Sequence, residues 1–178
     1  ELFKVDRTEN GNTNISVYAL SKKKGKVKEQ LYEREFKYDE TKEVRLYGLK
    51  GRDVFTINGE GKKGIKVRII GGKGKDSIID QSKVKGPGKK TIIYDRKDKH
   101  NVIKKSAETR LQLSKKKSVN TYDRKQFKFN TTAPILEVGY NIDDGIFVGG
   151  GVNIKRFNFR DSTFHRISGS FAFHTFAF

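Results

Sequence analysis

Any chemistry in this 178-residue chain would have to come from carboxylates, hydroxyls, lysines or three histidines, because it has no cysteine and no methionine. A disulfide framework, a Cys-ligated zinc or iron–sulfur site and a thiol nucleophile are excluded. His100, His165 and His174 are far apart and lack the spacing that brings two imidazoles onto one metal. No Gly-x-Ser-x-Gly elbow occurs, and pairs such as Gly61-Lys62 lack the rest of a phosphate loop. These residues therefore point away from an enzyme. Two patterns remain. Lysines gather in Lys22-Lys23-Lys24, Lys62-Lys63, Lys89-Lys90, Lys104-Lys105 and Lys115-Lys116-Lys117. This reads first as a solvated lysine-rich surface and otherwise as a field that draws nucleic acid, anionic lipid headgroups or acidic proteins. Two Gly-rich turns, Gly48 to Asp53 and Gly71 to Asp76, each end in a carboxylate.

Those turns belong to a repeat. Val44 to Phe55 is matched by Val67 to Ile78 at an offset of 23, and a weaker copy, Thr91 to Val102, follows at 24 with its glycines lost. Each copy reads as strand, turn, strand, and stacking such units buries a shared apolar seam, as in a short β-solenoid. The Gly71-Gly72-Lys73-Gly74-Lys75-Asp76 turn resembles the glycine-aspartate repeat of calcium-binding β-rolls. That resemblance implies calcium at Asp53 and Asp76, since Ca²⁺ takes oxygen ligands. The neighbouring cations Lys50, Arg52, Lys73 and Lys75 oppose it, and turn geometry is the alternative, with Gly supplying positive φ and Asp bonding to its own backbone.

Alternation with period two marks further strands at Asn14 to Leu20, Tyr32 to Tyr38 and Asp53 to Asn58. Val27 to Phe36 also admits a helical drawing, but its aromatics suit a strand face. Charge then divides the chain. Residues 131–178 hold four cations (Lys155, Arg156, Arg160, Arg166) and four anions (Glu137, Asp143, Asp144, Asp161), so the whole net charge of +18 falls in residues 1–130. That second stretch also holds eight of the 13 phenylalanines. Two environments are implied, a basic soluble domain over 1–130 and something apolar over 131–178.

Within the second stretch Leu136, Val138 and Tyr140 alternate with Ile135, Glu137 and Gly139, and an Asp143-Asp144-Gly145 turn follows. Ile146, Val148, Gly150, Val152 and Ile154 then form an aliphatic face opposite Phe147, Gly149, Gly151 and Asn153. After a polar loop at Arg160-Asp161-Ser162, a third strand runs toward Phe176-Ala177-Phe178. Long strands with one apolar face and one small or polar face are what a transmembrane β-barrel requires. The expected class is all-β: a strand-rich sandwich or short solenoid-like domain, then the first antiparallel strands of an outer-membrane β-barrel. Three strands cannot close, and the chain opens without Met or an apolar leader, so a fragment or mature piece is expected.

Residues Gly139 to Gly151, with Phe159-Arg160 and His165-Arg166-Ile167, resemble the first barrel strands of bacterial surface-antigen proteins of the BamA/TamA type. Glu43 to Leu49 and the Gly71-Gly72 turn are similar to the β-rich segment before that barrel in proteins of Bacteroidetes type, some of which carry an upstream metallophosphoesterase domain. The resemblance covers about residues 30 to 178. It implies a non-enzymatic part of a Gram-negative outer-membrane protein that assists insertion or translocation of other outer-membrane proteins, with residues 1–130 periplasmic. Outer-membrane lipid, client barrel proteins and barrel-assembly subunits are the implied partners. Ile135, Leu136, Glu137, Val138, Gly139 and Tyr140 would form the pairing edge. The alternatives are an accessory region anchoring a periplasmic metallophosphoesterase and a basic polyanion-binding β domain. Nucleic acid is the weaker polyanion, because Lys outnumbers Arg and no aromatic platform interleaves the lysine runs.

Overall fold

The 23-residue period is realised as strands stacked in parallel. A computed structural model describes all residues except 22–24, 99–100, 126–127, 143–144, 158, 160–163 and 175–178; for Asn141, Phe147 and 164–174 it describes the main chain alone. The Lys22–Lys24 run, His100, the Asp143-Asp144 turn, the Arg160–Ser162 loop and the Phe176–Phe178 end thus lie outside the described residues. Two compact units emerge, Glu1–Tyr122 and Asp123–Phe178.

The first unit contains β1 (Leu2–Arg7), β2 (Thr13–Leu20), β3 (Val27–Phe36), β4 (Glu43–Tyr47), β5 (Lys50–Gly51), β6 (Val54–Gly61) and β7 (Lys66–Ile70). It continues through β8 (Lys73–Gly74), β9 (Ser77–Asp80), β10 (Lys83–Val84), β11 (Thr91–Arg96), β12 (Val102–Lys104) and β13 (Thr109–Ser114), and then a 3-10 turn at Lys117–Asn120. Strands β4, β7, β11 and β13 form one parallel sheet. The other sheet runs β12-β9-β6-β1-β2-β3, parallel as far as β1 and antiparallel through the β1-β2-β3 meander. Val27 to Phe36 is thus a strand.

The register follows the repeat. Val44 pairs with Val67, Lys50 with Lys73 and Val54 with Ser77, each with its counterpart one repeat further along. The third copy departs by a single position: Thr91 pairs with Val67, whereas Val102 pairs with Ser77, so an extra residue lies between the two strands of that rung. Asn101 therefore stands where the uniform offset of the third copy would place His100. Strand β13 adds to β11 with Thr91 against Thr109, a spacing shorter than the period and so not announced by the repeat.

The inward residues of both sheets form one core: Phe3, Val5, Ile15, Phe55, Ile57 and Ile78 from one, and Leu46, Val67, Ile69 and Ile93 from the other. Phe3 and Phe55 stack at 4.5 Å between centroids with a 13° interplanar angle. Each fully buried side chain of this size contributes about 1.5–3 kcal/mol. Arg7, itself buried, ties β1 to the later rungs by donating to the Ile65 carbonyl at 2.7 Å and to Thr91 Oγ1 at 3.2 Å.

The second unit is an antiparallel meander of β14 (Thr131–Asn141), β15 (Gly145–Phe157) and β16 (Phe164–His174), in that order. Strand β14 begins at Thr131, ahead of Pro134, where the alternation becomes visible. Pro134 is compatible with this position because β14 is paired on one side only among the described residues, so its missing N–H need not face a partner.

Candidate functional site

Two places gather the residues that sequence reasoning singles out. The first is the face and edge of β14. Its pairing with β15 is unbroken from Thr131 against Lys155 to Asn141 against Gly145. Directly opposed residues in a sheet share a face. Leu136 against Gly150, Val138 against Val148 and Tyr140 against Ile146 therefore lie on one side, with Val152 opposite Pro134.

That side is bare. Leu136 is 77% exposed, Val138 68% and Tyr140 71%, and Ile146, Val148 and Val152 are also exposed. The other side carries Ala133, Ile135, Glu137 and Gly139 against Asn153, Gly151, Gly149 and Phe147. Strand β16 extends the sheet in register, with Phe171 opposite Gly150 and Phe173 opposite Val148. Ile135 to Tyr140 all lie on β14, which pairs only with β15 among the described residues. Their backbone N–H and C=O groups on the far side are positioned to accept another strand.

The second place is a corner of the solenoid. Asp53 and Asp76 occupy equivalent positions on successive rungs, immediately before β6 and β9. Both are buried, at 3% and 1% exposure. Asp76 Oδ1 accepts the Asp53 backbone N–H at 3.0 Å, and Asn101 Oδ1 accepts the Asp76 backbone N–H at 2.9 Å. Asp53 Oδ1 in turn accepts the Glu1 amino group at 2.8 Å. Each side chain thus caps the main chain of the rung before it, forming a ladder of Asx residues down one corner. The Oδ1 bonds of Asp53 and Asp76 run between rungs rather than within their own turns.

Two glycine effects operate here. Gly48 is required for space, since a Cβ there would collide with the Gly71 carbonyl oxygen and lie 2.8 Å from Asp53 Oδ2. Gly72 is required for both space and conformation: its φ is +89°, and a Cβ there would lie 2.5 Å from the Leu49 carbonyl oxygen, whereas Leu49 itself adopts the equivalent left-handed conformation at φ +62° one rung earlier.

Burial pushes the Asp53 carboxyl above its ordinary value, and the Glu1 amino group offsets this only in part. Its Oδ2 is buried and finds no hydrogen-bond partner among the described residues. Nearby, Asn120 Nδ2 donates to the Gly72 carbonyl at 2.6 Å and to Asp95 Oδ1 at 3.2 Å, closing the corner with the 3-10 turn. Among the described residues no three His, Cys, Asp or Glu side chains converge to hold a metal ion. The Asp53 and Asp76 Oδ1 atoms already accept N–H donors, whereas Ca²⁺ takes about six to eight oxygens.

Asn101 and Asn120 complete this corner and are missed by a search for carboxylates. The signal that reaches Asn101 is the apolar pair Val102-Ile103, which aligns with Ser77-Ile78 once one residue is inserted. Compared with protein-family models, curated proteins and solved structures, the chain matches none.

Proposed function

We propose that residues 131–174 are part of the wall of a transmembrane β-barrel in a Gram-negative outer membrane, and that the Glu1–Tyr122 unit is its periplasmic domain. The bare aliphatic face carries this reading. Six large apolar side chains on one continuous face of a two-strand ladder are costly in water and favourable against hydrocarbon. Strands of 11, 13 and 11 residues are long enough to cross a bilayer, which takes about 9–11 tilted residues. An opposite face with Gly149, Gly151 and Asn153 suits a lumen.

The resemblance of Gly139 to Gly151 to BamA/TamA-type barrels supports a role in inserting or translocating other outer-membrane proteins. Such a role makes and breaks no covalent bond: the β14 edge pairs with an incoming strand by β-augmentation. A photo-crosslinker at Glu137 or Gly139 should capture a barrel polypeptide added unfolded to proteoliposomes containing the full chain, while one at Gly149 on the inner strand β15 should not. Equal or absent capture from β14 would remove the pairing role. Monodisperse behaviour of the full chain in plain buffer, without detergent, would remove the membrane reading itself.

A further inference from the structure

The repeat stacks cations as well as apolar residues. Lys50 pairs with Lys73 and Gly51 with Gly74 on the small parallel ladder β5-β8, and continuing that register places Arg52 beside Lys75. All four basic side chains are exposed. Adjacent strands are about 4.8 Å apart, so like charges stand directly opposite one another, an arrangement that costs stability. The carboxylates next in sequence, Asp53 and Asp76, are buried in the corner. None of the four cations joins an ion pair among the described residues. Lys83, by contrast, meets Glu60 on the neighbouring rung at 2.9 Å. The solenoid therefore compensates one cross-rung lysine and leaves a block of four uncompensated.

We infer that Lys50, Arg52, Lys73 and Lys75 form a docking surface for the phosphate headgroups of an anionic bilayer. The positive block matches a surface of closely spaced negative charge. The choice of lipid over other polyanions rests on the membrane reading of the second unit, and the segments 50–52 and 73–75 contain no aromatic residue to stack a base. Each basic group near an anionic surface strengthens association roughly fivefold. The four together should give a preference on the order of a hundredfold or more, weakening with salt.

The test is co-flotation of the full chain with phosphatidylcholine vesicles, or with the same vesicles doped with phosphatidylglycerol, at low and high salt. Wild type is compared with the variant carrying Lys50→Gln, Arg52→Gln, Lys73→Gln and Lys75→Gln, and with a control carrying Lys115→Gln, Lys116→Gln and Lys117→Gln. A salt-sensitive preference for phosphatidylglycerol, lost in the quadruple variant and kept in the control, supports the surface. The preference overturns the inference if it is absent, or if both variants lose it equally. Tighter binding of duplex DNA than of the doped vesicles, lost in the quadruple variant, also overturns the lipid assignment. Salt-insensitive flotation with phosphatidylcholine alone reports on the second unit. If that fails while the phosphatidylglycerol preference holds, the membrane-spanning reading falls and the docking surface stands.

Discussion

Asp76 shows how much one side chain does at a solenoid corner. Its Oδ1 satisfies a buried N–H that the turn cannot pair within its own rung, so Asp76→Ala should cost about 1–3 kcal/mol. Asp76→Asn should cost much less, because an amide oxygen caps the equivalent N–H at Asn101. Chemical denaturation of the two variants measures the difference. The Oδ1 atoms of Asp53 and Asp76 already accept N–H donors, so added Ca²⁺ should leave the melting temperature unchanged, and a rise reversed by chelator would show calcium at Asp53 and Asp76. Two carboxyls pull stability in opposite directions over the acid range. Asp53, raised by burial, weakens the fold as pH climbs from its ordinary value through the raised one, and Asp53→Asn should abolish that loss. Burial also pushes the Glu43 carboxyl up, but Arg45 and Arg68 outweigh it and hold the group below its ordinary value. Its contribution is present above the ordinary Glu value and lost as pH falls through the lowered one, and Glu43→Gln should remove it. Melting temperature against pH for the two variants separates the effects.

At the scale of elements, the repeat was legible because Val44-Arg45-Leu46 and Val67-Arg68-Ile69 carry over both core and turn residues. The ladder between β4 and β7 follows directly from it. The third rung was only half legible, since an inserted residue moves Asn101 into the Asx position and the apolar pair Val102-Ile103 is the one local mark of that shift. The parallel pairing of β1 with β6 was not legible at all: Leu2 meets Val54 from a distant part of the chain, and alternation in β1 specifies a strand without specifying its neighbour. The faces of β14 and β15 were legible strand by strand, because side chains alternate strictly, whereas the start of β14 at Thr131 and the pairing of Leu136 with Gly150 were not. The aliphatic face makes a sharp prediction. Leu136→Arg, at the centre of β14, should weaken insertion into bilayers by about 2–4 kcal/mol, whereas Glu137→Arg on the opposite face should change it little. Partitioning of the full-length variants between buffer and vesicles measures both.

At the scale of the whole chain, the charge of +18 falls in residues 1–130 and eight of the 13 phenylalanines fall in residues 131–178. The Glu1–Tyr122 unit encloses a core between a parallel and a mixed sheet and shows cations to solvent. The Asp123–Phe178 unit has a three-stranded sheet whose aliphatic side is exposed. Among the described residues no helix is long and apolar enough to cross a membrane, which says nothing of a crossing by strands. The absence of native cysteine makes the decisive measurement direct. Single cysteines at successive positions from Ile135 to Tyr140 would carry a nitroxide in the full chain reconstituted into lipid vesicles. Collision with oxygen, which concentrates in hydrocarbon, should be high at Leu136, Val138 and Tyr140. Collision with a water-soluble nickel chelate should be high at Ile135, Glu137 and Gly139. Uniform accessibility to the nickel chelate along all six positions would contradict a lipid-facing sheet.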